Sequence, residues 1–251
     1  MAAYKRIIVD ERDILGNRIR LSTRNRAHIC DVLRMGSGDR LIASDGSGSF
    51  LVRLDSVRES DGWAIIEERI ALPTERFLNI TLAFGCVRPD PMEQIFRHCT
   101  ELGVKSFIPV LFERCNRRPT EKKKRWENVI DSACSQSGRS IIPSVTDPVT
   151  LNQFLQSLHG MGGRIFLSAT VGAQPMYAMM QQLESRELTI LVGPEGGLTA
   201  NEFQQVRAQS FLEASLSPLT LRTETAAIVG TGIAVSRAMT ESQDIDTTND
   251  L

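Results

Sequence analysis

From Leu78 onward, short apolar strand patterns alternate with helical patterns, and this alternation constrains the fold more than any other feature of the chain. The strand patterns are NITLAFG, VKSFIPVLF, RIFLSA, LTILVG and FLEASL, and the last helical pattern covers residues 223–239. Strands that alternate with helices form a mostly parallel sheet covered on both faces. We therefore predict an α/β domain whose ligand lies beyond the carboxyl ends of the strands.

The chain up to residue 72 has a different pattern. Its strand patterns are YKRIIV, NRIRL, DRLIASD, SFLVRLDSV and WAIIEERI, separated by Gly, Asp and Ser turns. One helical pattern interrupts them, which Ser22 or Thr23 can cap and Gly36 can end. Many short strands with a single helix predict a small barrel of the type that binds nucleic acid. ALPTERF is then predicted to be a linker, and the polar, acidic residues 241–251 a disordered tail.

Basic residues are unevenly distributed along the chain, although Lys and Arg number 29 against 30 Asp and Glu, a net charge of −1. Local basic patches are what phosphate binding requires, whatever the total charge. Solvated helix faces are the alternative interpretation. The first cluster comprises Arg18, Arg20, Arg24, Arg26 and Arg34, and the second comprises Arg114, Arg117, Arg118, Lys122, Lys123, Lys124 and Arg125.

Several classes of protein are disfavoured by what the sequence contains. Its five cysteines form no CxxC pair, and its three histidines lack ligand spacing, so we predict reduced thiols and no metal site. No apolar run approaches the roughly 20 residues of a membrane span, and MAAYKRIIVDERD has no apolar secretion signal. We therefore predict a cytoplasmic protein with no membrane partner.

A glycine-rich loop, Gly193-Pro194-Glu195-Gly196-Gly197, directly follows the strand pattern LTILV and precedes a helix with a Thr199/Glu202 capping box. Glycines let the backbone approach a ligand more closely than side chains permit. The loop has neither the spacing of a P-loop nor that of the dinucleotide motif GxGxxG. A tight turn without a ligand remains the alternative.

Two further segments carry candidate residues. Arg222 and Glu224 lie at the start of the last helix, whose N-terminal end favours anions and polar ligands, or they form a structural ion pair. Arg139 ends a basic helix at an expected domain surface, where its guanidinium suits phosphate or is simply solvated. The chain has no GxSxG or HExxH motif, which argues against the corresponding hydrolases.

Taken in order, these motifs resemble the RsmE family, the 16S ribosomal RNA uracil-N3 methyltransferases of the SPOUT superfamily. The match runs almost end to end, and the order and spacing of the motifs make it specific. The matching residues are His28, Val32, Leu33, Arg34, Gly38 and Asp39, then Thr100–Val104 and Pro109, then Arg125, Trp126, Ala133, Gln136, Arg139 and Pro143, and finally Gly193–Gly197, Glu202 and Leu221–Ala226.

The resemblance implies a PUA-like RNA-binding β-barrel over residues 1–72 and a SPOUT domain with a deep trefoil knot over residues 73–240. It also implies S-adenosyl-L-methionine as cofactor, small-subunit ribosomal RNA as substrate, and a homodimer in which each site is completed by the partner. Carried over by position, the cofactor-binding residues are Leu167, Ser168, Ala169, Leu191, Gly193, Glu195, Gly196, Gly197, Leu216, Ser217, Leu221 and Thr223.

Methylation of uracil N3 sets further requirements, because this nitrogen is protonated at neutral pH. Either a base removes the proton or cations stabilise the charge that develops on the ring. We take Arg222 and Arg139 as the electrostatic candidates and Glu195 or Glu224 as the base. The RNA-binding candidates are Arg18, Arg20, Arg24, Arg26, Arg34, Arg88 and Arg139.

Four positions depart from the family pattern, among them Arg88 and His98, which stand where lysines are common. Ser217 stands where a glycine is usual, and Leu219 where an arginine is usual. The altered loop leaves open a paralogue that binds RNA or ribosomes without methylating them. A methyltransferase acting on another RNA site is a second alternative, because it would share nearly every feature described above.

Overall fold

The structure is a computed structural model that describes residues 4–248, apart from 46–47, 59–60, 71–77, 116–122, 140, 159, 161, 171 and 184. The chain forms two compact units. Unit 1 comprises Met1–Glu75 together with Cys134–Ile142, and unit 2 comprises Arg76–Ala133 together with Pro143–Leu251. The predicted linker ALPTERF lies outside the described residues.

Unit 1 contains a six-stranded mixed sheet in the order β1-β4-β5-β6-β3-β2. Only the pairing of β1 with β4 is parallel, and the other pairings are antiparallel. Alternate side chains point inward into an apolar core that includes Ile19, Leu41 and Leu54. The strands are β1 (Arg6–Ile8), β2 (Ile14–Leu15), β3 (Arg18–Leu21), β4 (Arg40–Ser44), β5 (Ser49–Ser56) and β6 (Gly62–Ile70).

The helix of unit 1 is shorter than its sequence pattern predicts. α1 (Thr23–Ala27) begins after Ser22, whose hydroxyl accepts the Asn25 N–H at 3.1 Å, and it continues as a π-helical segment to Val32. Gly36 does not end it. Arg34 takes the left-handed conformation that follows this helical segment, with φ of 55°, an uncommon position for a residue with a Cβ.

A short segment distant in sequence completes unit 1. Cys134–Ile142 is grouped with the first 75 residues, and the Arg6 guanidinium donates a hydrogen bond to the Gly138 carbonyl. Gly138 has φ of 76°, and a Cβ at this position would lie 3.0 Å from Arg6 Nη1. The unit is therefore not a continuous stretch ending at residue 72, as predicted from sequence.

Unit 2 is built on a parallel sheet in the order β10-β8-β7-β13-β11-β14-β12, with β9 paired to β8. Every pairing is parallel, which confirms the predicted α/β class. The strands are β7 (Asn79–Gly85), β8 (Ser106–Leu111), β9 (Ser144–Val145), β10 (Val149–Thr150), β11 (Gly163–Leu167), β12 (Gln174–Pro175), β13 (Glu187–Val192) and β14 (Leu212–Ser215).

Helices connect these strands, and the last of them is longer than its sequence pattern. α5 is a short helix, and α7 continues to Thr248 rather than ending near Met239, because no Gly or Pro interrupts residues 240–248. The predicted disordered tail is thus helical over 241–248. The helices are α2 (Pro89–Glu101), α3 (Lys123–Ser137), α4 (Leu151–Gln156), α5 (Met176–Met180), α6 (Ala200–Ala208) and α7 (Thr223–Thr248).

Aromatic side chains fix α2 on the sheet. The Phe96 ring lies 5.2–5.6 Å from the rings of Phe84, Phe107 and Trp126, and all four side chains are buried. Neighbouring Cys99 is also buried, which raises the pKa of its thiol to about 12. The thiol therefore stays protonated, as expected for a structural rather than a reactive cysteine.

The described part of the chain contains no helix long and apolar enough to cross a membrane.

Candidate active site

Three loops at the carboxyl edge of the unit 2 sheet enclose a cavity of about 540 Å³. They follow β11, β13 and β14, which lie side by side in the order β13-β11-β14. Because the three strands are parallel, their carboxyl ends meet at one edge, where α/β sheets bind ligands. The cavity is formed by residues 166–170, 192–203 and 216–226, although not by every residue of these ranges.

The loop after β13 is a tight glycine turn. The Gly197 N–H donates to the Pro194 carbonyl at 2.9 Å, and Gly197 adopts a left-handed φ of 68°. The turn is held from two sides. A Cβ at Gly85, the last residue of β7, would lie 2.5 Å from Pro194 N, and the Thr223 hydroxyl donates to the Gly193 carbonyl at 3.0 Å.

The cavity wall combines apolar surface with a few polar groups. The ring centroids of Phe166 and Phe203 lie 6.0 Å apart, and both rings supply aromatic surface to the wall. Just after β11, the Ser168 and Thr170 hydroxyl oxygens are 2.7 Å apart, and the Thr170 N–H donates to Ser168 Oγ. A cavity of this size and character suits an organic ligand with an apolar body and several hydrogen-bonding groups.

Most of the sequence-predicted cofactor residues lie on this wall. Leu191 does not, because it is fully buried in the apolar core beneath the sheet edge. Gly196 also lies off the wall, because it faces Arg114. The predicted residues that line the cavity are Leu167, Ser168, Ala169, Gly193, Glu195, Gly197, Leu216, Ser217, Leu221 and Thr223.

The loop after β14 contains two of the departures from the family pattern, Ser217 and Leu219. Ser217 accepts the Leu219 N–H on its hydroxyl at 3.0 Å, a local turn that a glycine could not form. It has no left-handed φ, so its backbone does not require glycine. Leu219 lines the cavity with 72% of its surface exposed, which places an apolar side chain where the family has a cation.

The four catalytic candidates occupy different environments. Glu195 lies on the wall, 3.9 Å from the Arg88 guanidinium. Arg222 is exposed just before α7, and its carbonyl accepts the Ala226 N–H. Glu224 is 8% exposed and off the wall, and its Oε2 atom is buried without a hydrogen-bond partner. Arg139 belongs to unit 1 and is 6% exposed, in contrast to the surface position predicted.

The RNA-binding candidates of unit 1 are mostly engaged with other side chains. Arg18 pairs with Asp55 at 2.8 Å and covers the Trp63 ring, while Arg20 pairs with Asp13 at 2.9 Å. Of the other three arginines in the first basic cluster, Arg24 and Arg34 are exposed, and Arg26 packs over Gly62 and donates to the Thr23 hydroxyl at 3.2 Å. Arg117, Arg118 and Lys122 of the second basic cluster lie outside the described residues.

Sequence reasoning missed several wall residues. Thr170 and Phe203 are examples. Thr170 was missed because it lies three residues after the end of β11. Phe203 was missed because its spacing in α6 is that of an ordinary core residue. A hydroxyl two residues after Ser168 was the available signal for Thr170. Among the described residues, no group of three or more His, Cys, Asp and Glu side chains could hold a metal ion.

Comparison with known proteins gives a consistent result. Residues 74–235 match the model of an RNA methyltransferase domain family. The ribosomal RNA small subunit methyltransferase E of Synechocystis is 32% identical over 244 residues, covering 96% of this chain and 79% of that protein. The Bacillus subtilis protein of the same name is 29% identical, covering 79% of this chain and 82% of its own length.

Solved structures agree in fold. A ribosomal RNA small subunit methyltransferase E from Neisseria gonorrhoeae, determined with bound S-adenosyl methionine, superposes with a TM-score of 0.82 at 28% identity, over 95% of this chain and 98% of that chain. A putative methyltransferase from Legionella pneumophila in complex with the same cofactor gives 0.80 at 28% identity, over 96% and 98%.

Proposed function

This chain belongs to the RNA methyltransferase family, and from that premise we propose that it transfers a methyl group from S-adenosylmethionine to N3 of a uridine in small-subunit ribosomal RNA. The observation that carries the proposal is the cavity of about 540 Å³ at the carboxyl ends of β11, β13 and β14. Its glycine turn and its mixture of apolar and hydroxyl groups fit a nucleoside-containing cofactor.

The cofactor supplies a methyl carbon activated by a positively charged sulfur. The residues of the cavity hold and orient it: Ser168, Thr170 and Thr223 offer hydroxyls, and the glycine turn offers backbone groups at short range. The main catalytic contribution of such a site is to keep the reacting nitrogen and carbon in contact and in line.

Proton removal from N3 is assigned to Glu195, because it is the base candidate on the cavity wall. Glu224 is instead assigned a structural role, since its carboxylate is buried off the wall. Arg222, exposed between the wall residues Leu221 and Thr223, stabilises the negative charge that develops on the uracil oxygens.

The experiment that tests the function is calorimetry followed by a methylation assay. We expect binding of S-adenosylmethionine and its demethylated product, no binding of NADH, and methyl transfer to small-subunit ribosomal RNA that mass mapping locates on one uridine. Affinity for NADH without affinity for S-adenosylmethionine would reject the proposal. Cofactor binding without transfer to any RNA would favour a non-methylating paralogue.

We also propose that unit 2 contains the trefoil knot of the SPOUT superfamily and that unit 1 is its PUA-like RNA-binding domain. The strand order supports the knot, because β13 lies between β7 and β11, although both precede it in the chain. The mixed sheet of short strands and its surface arginines support the assignment of unit 1.

Arg24 and Arg34 of unit 1 should contact RNA phosphates, because both are exposed. Replacing both with alanine is expected to weaken RNA binding and lower its salt slope by about two units, one for each phosphate contact. Cofactor affinity should not change. Fluorescence titration of RNA over a range of salt concentrations measures the slope.

Arg12→Ala is the matched control for this pair. The Arg12 guanidinium is 88% exposed but held by Asp10, and hydrogen bonds from the Arg12 side chain and backbone lower the pKa of Asp10 to about 2. Asp10 is therefore ionised at neutral pH and remains bound to Arg12. The salt slope of this variant should match that of the unaltered chain, and equal slopes for all three proteins would contradict the RNA-binding role of unit 1.

A homodimer is proposed through the outer face of α5 and α7. Tyr177 and Val229 are 59% and 40% exposed, and they line a groove of about 580 Å³. Gly230 of α7 is not part of this outer face, because it faces Leu167 within the chain. Val229→Asp should convert the dimer to a monomer in sedimentation, whereas Leu15→Asp, an exposed leucine on β2, should not. A monomeric variant with full methyltransferase activity would contradict the proposal that each site is completed by the partner.

A further inference from the structure

A two-residue segment after β8, Glu113–Arg114, contacts the glycine turn although it lies off the cavity wall. The Arg114 guanidinium donates from Nη1 to the Gly196 carbonyl at 3.3 Å and to the Leu198 carbonyl at 3.5 Å. One side chain therefore holds two carbonyl groups, one within the turn and one directly after it. Nothing in the sequence indicated this contact, because Arg114 appears there only as one member of the second basic cluster.

The approach of the turn to this segment depends on glycine. A Cβ at Gly196 would lie 2.9 Å from the Arg114 Cβ and 3.0 Å from the Arg114 carbonyl oxygen. The second of these neighbours is backbone and cannot rotate away. Gly196 is thus explained by its contact with Arg114, in place of the direct ligand contact predicted from sequence.

The same segment holds the start of α6. The Glu113 N–H donates to Glu202 Oε1 at 2.7 Å, while Glu202 Oε2 accepts the Thr199 N–H at 2.8 Å. Glu202 is 7% exposed, so these charge-assisted hydrogen bonds lie largely out of water. Both ends of the stretch from Gly196 to Glu202 are therefore attached to one point of the chain.

We propose that Arg114 is a positioning residue that holds the glycine turn in its cofactor-binding conformation, an inference that rests on the proposed function. The wall residues Gly193, Glu195 and Gly197 belong to this turn. With the turn fixed before binding, no free energy is spent on ordering it when the cofactor enters. Arg114 acts through the turn and does not itself contact the cofactor or RNA.

The test measures S-adenosylhomocysteine affinity by calorimetry and steady-state kinetics of RNA methylation in three full-length variants. Arg114→Met removes both donors but keeps the Cβ against Gly196, Arg114→Lys restores a donor, and Arg186→Ala removes the same charge next to the amino end of β13. Arg114→Met should weaken S-adenosylhomocysteine binding about tenfold, as the loss of two carbonyl hydrogen bonds implies.

Other readouts separate positioning from a role in RNA binding or stability. In Arg114→Met the KM for the cofactor should rise more than kcat falls, while RNA affinity and its salt slope stay unchanged. Arg114→Lys should recover most of the cofactor affinity, and Arg186→Ala should equal the unaltered chain. All three should keep the unfolding midpoint within a few degrees, because both positions are exposed.

Gly196→Ala provides a second variant with the same expected direction, because its Cβ forces the turn away from Arg114. Unchanged S-adenosylhomocysteine affinity in both Arg114→Met and Gly196→Ala would overturn the inference, as would a loss of RNA affinity alone in Arg114→Met. Failure of the unaltered chain to bind S-adenosylhomocysteine would instead overturn the proposed function, and this inference with it.

Discussion

Arg222→Ala is expected to lower kcat for RNA methylation about 100- to 1000-fold, the usual cost of removing a group that stabilises charge in the transition state. Arg222 is exposed, and its sequence neighbours Leu221 and Thr223 both line the cavity wall. Its charge is added to the partial positive charge at the N-terminal end of α7. In the proposed mechanism, loss of this cation would leave the developing uracil anion less stabilised, whereas the ground-state contacts of cofactor and RNA would mostly be retained.

Single-turnover kinetics at saturating RNA and cofactor measure this effect directly, because they isolate the chemical step. Arg186→Ala is the control, an exposed arginine next to the amino end of β13, away from the cavity. A kcat within about threefold of the unaltered chain would exclude the electrostatic role. A large loss of RNA affinity with normal single-turnover chemistry would assign Arg222 to phosphate binding instead.

Gly85→Ala should weaken cofactor binding by about 10- to 100-fold without changing RNA affinity. The added Cβ would lie 2.5 Å from Pro194 N and 2.6 Å from Pro194 Cα, and neither backbone atom can move without displacing the turn. Extra methyl groups in a packed site commonly cost about 1–3 kcal/mol. Here the added methyl group destabilises the conformation of the glycine turn that lines the cavity. The effect is therefore measured as a loss of cofactor affinity.

The matched control for this substitution is Gly36→Ala in unit 1, where an added Cβ meets no atom within 4 Å. Calorimetric titration with S-adenosylhomocysteine compares the two variants with the unaltered chain. Thermal unfolding distinguishes local displacement of the turn from loss of the fold. Normal affinity in Gly85→Ala would show that the contact between β7 and the turn does not determine the shape of the site.

Local chemistry made several features predictable from sequence. The Thr199/Glu202 capping box forms as expected, since both partners lie within one helical turn. Gly193 and Gly197 flank a tight turn after a buried strand, because glycine is needed where the backbone turns left-handed or approaches another chain segment closely. The parallel sheet followed from the alternation of strand and helix patterns.

Features that depend on strand order could not be predicted this way. The contact of Gly85 with Pro194 requires β7 and β13 to be neighbours, which is a property of the sheet and leaves no periodic signal in the sequence. The pair of Arg88 and Glu195 joins residues more than a hundred positions apart. Arg139 was misplaced at the surface because charge alone does not reveal that a segment is buried.

The division of unit 1 between Met1–Glu75 and Cys134–Ile142 affects how this protein is made. A growing chain emerges from its N-terminus at about 5–20 residues per second, and domains ordinarily fold as soon as their own sequence is available. After residue 75, more than sixty further residues must be synthesised before the Cys134–Ile142 segment of this unit is available. That segment includes the Gly138 carbonyl, which accepts a hydrogen bond from the Arg6 guanidinium. The final packing of unit 1 is thus delayed by several seconds, during which all six strands of the sheet have been synthesised but the unit still lacks Cys134–Ile142 and is open to chaperones.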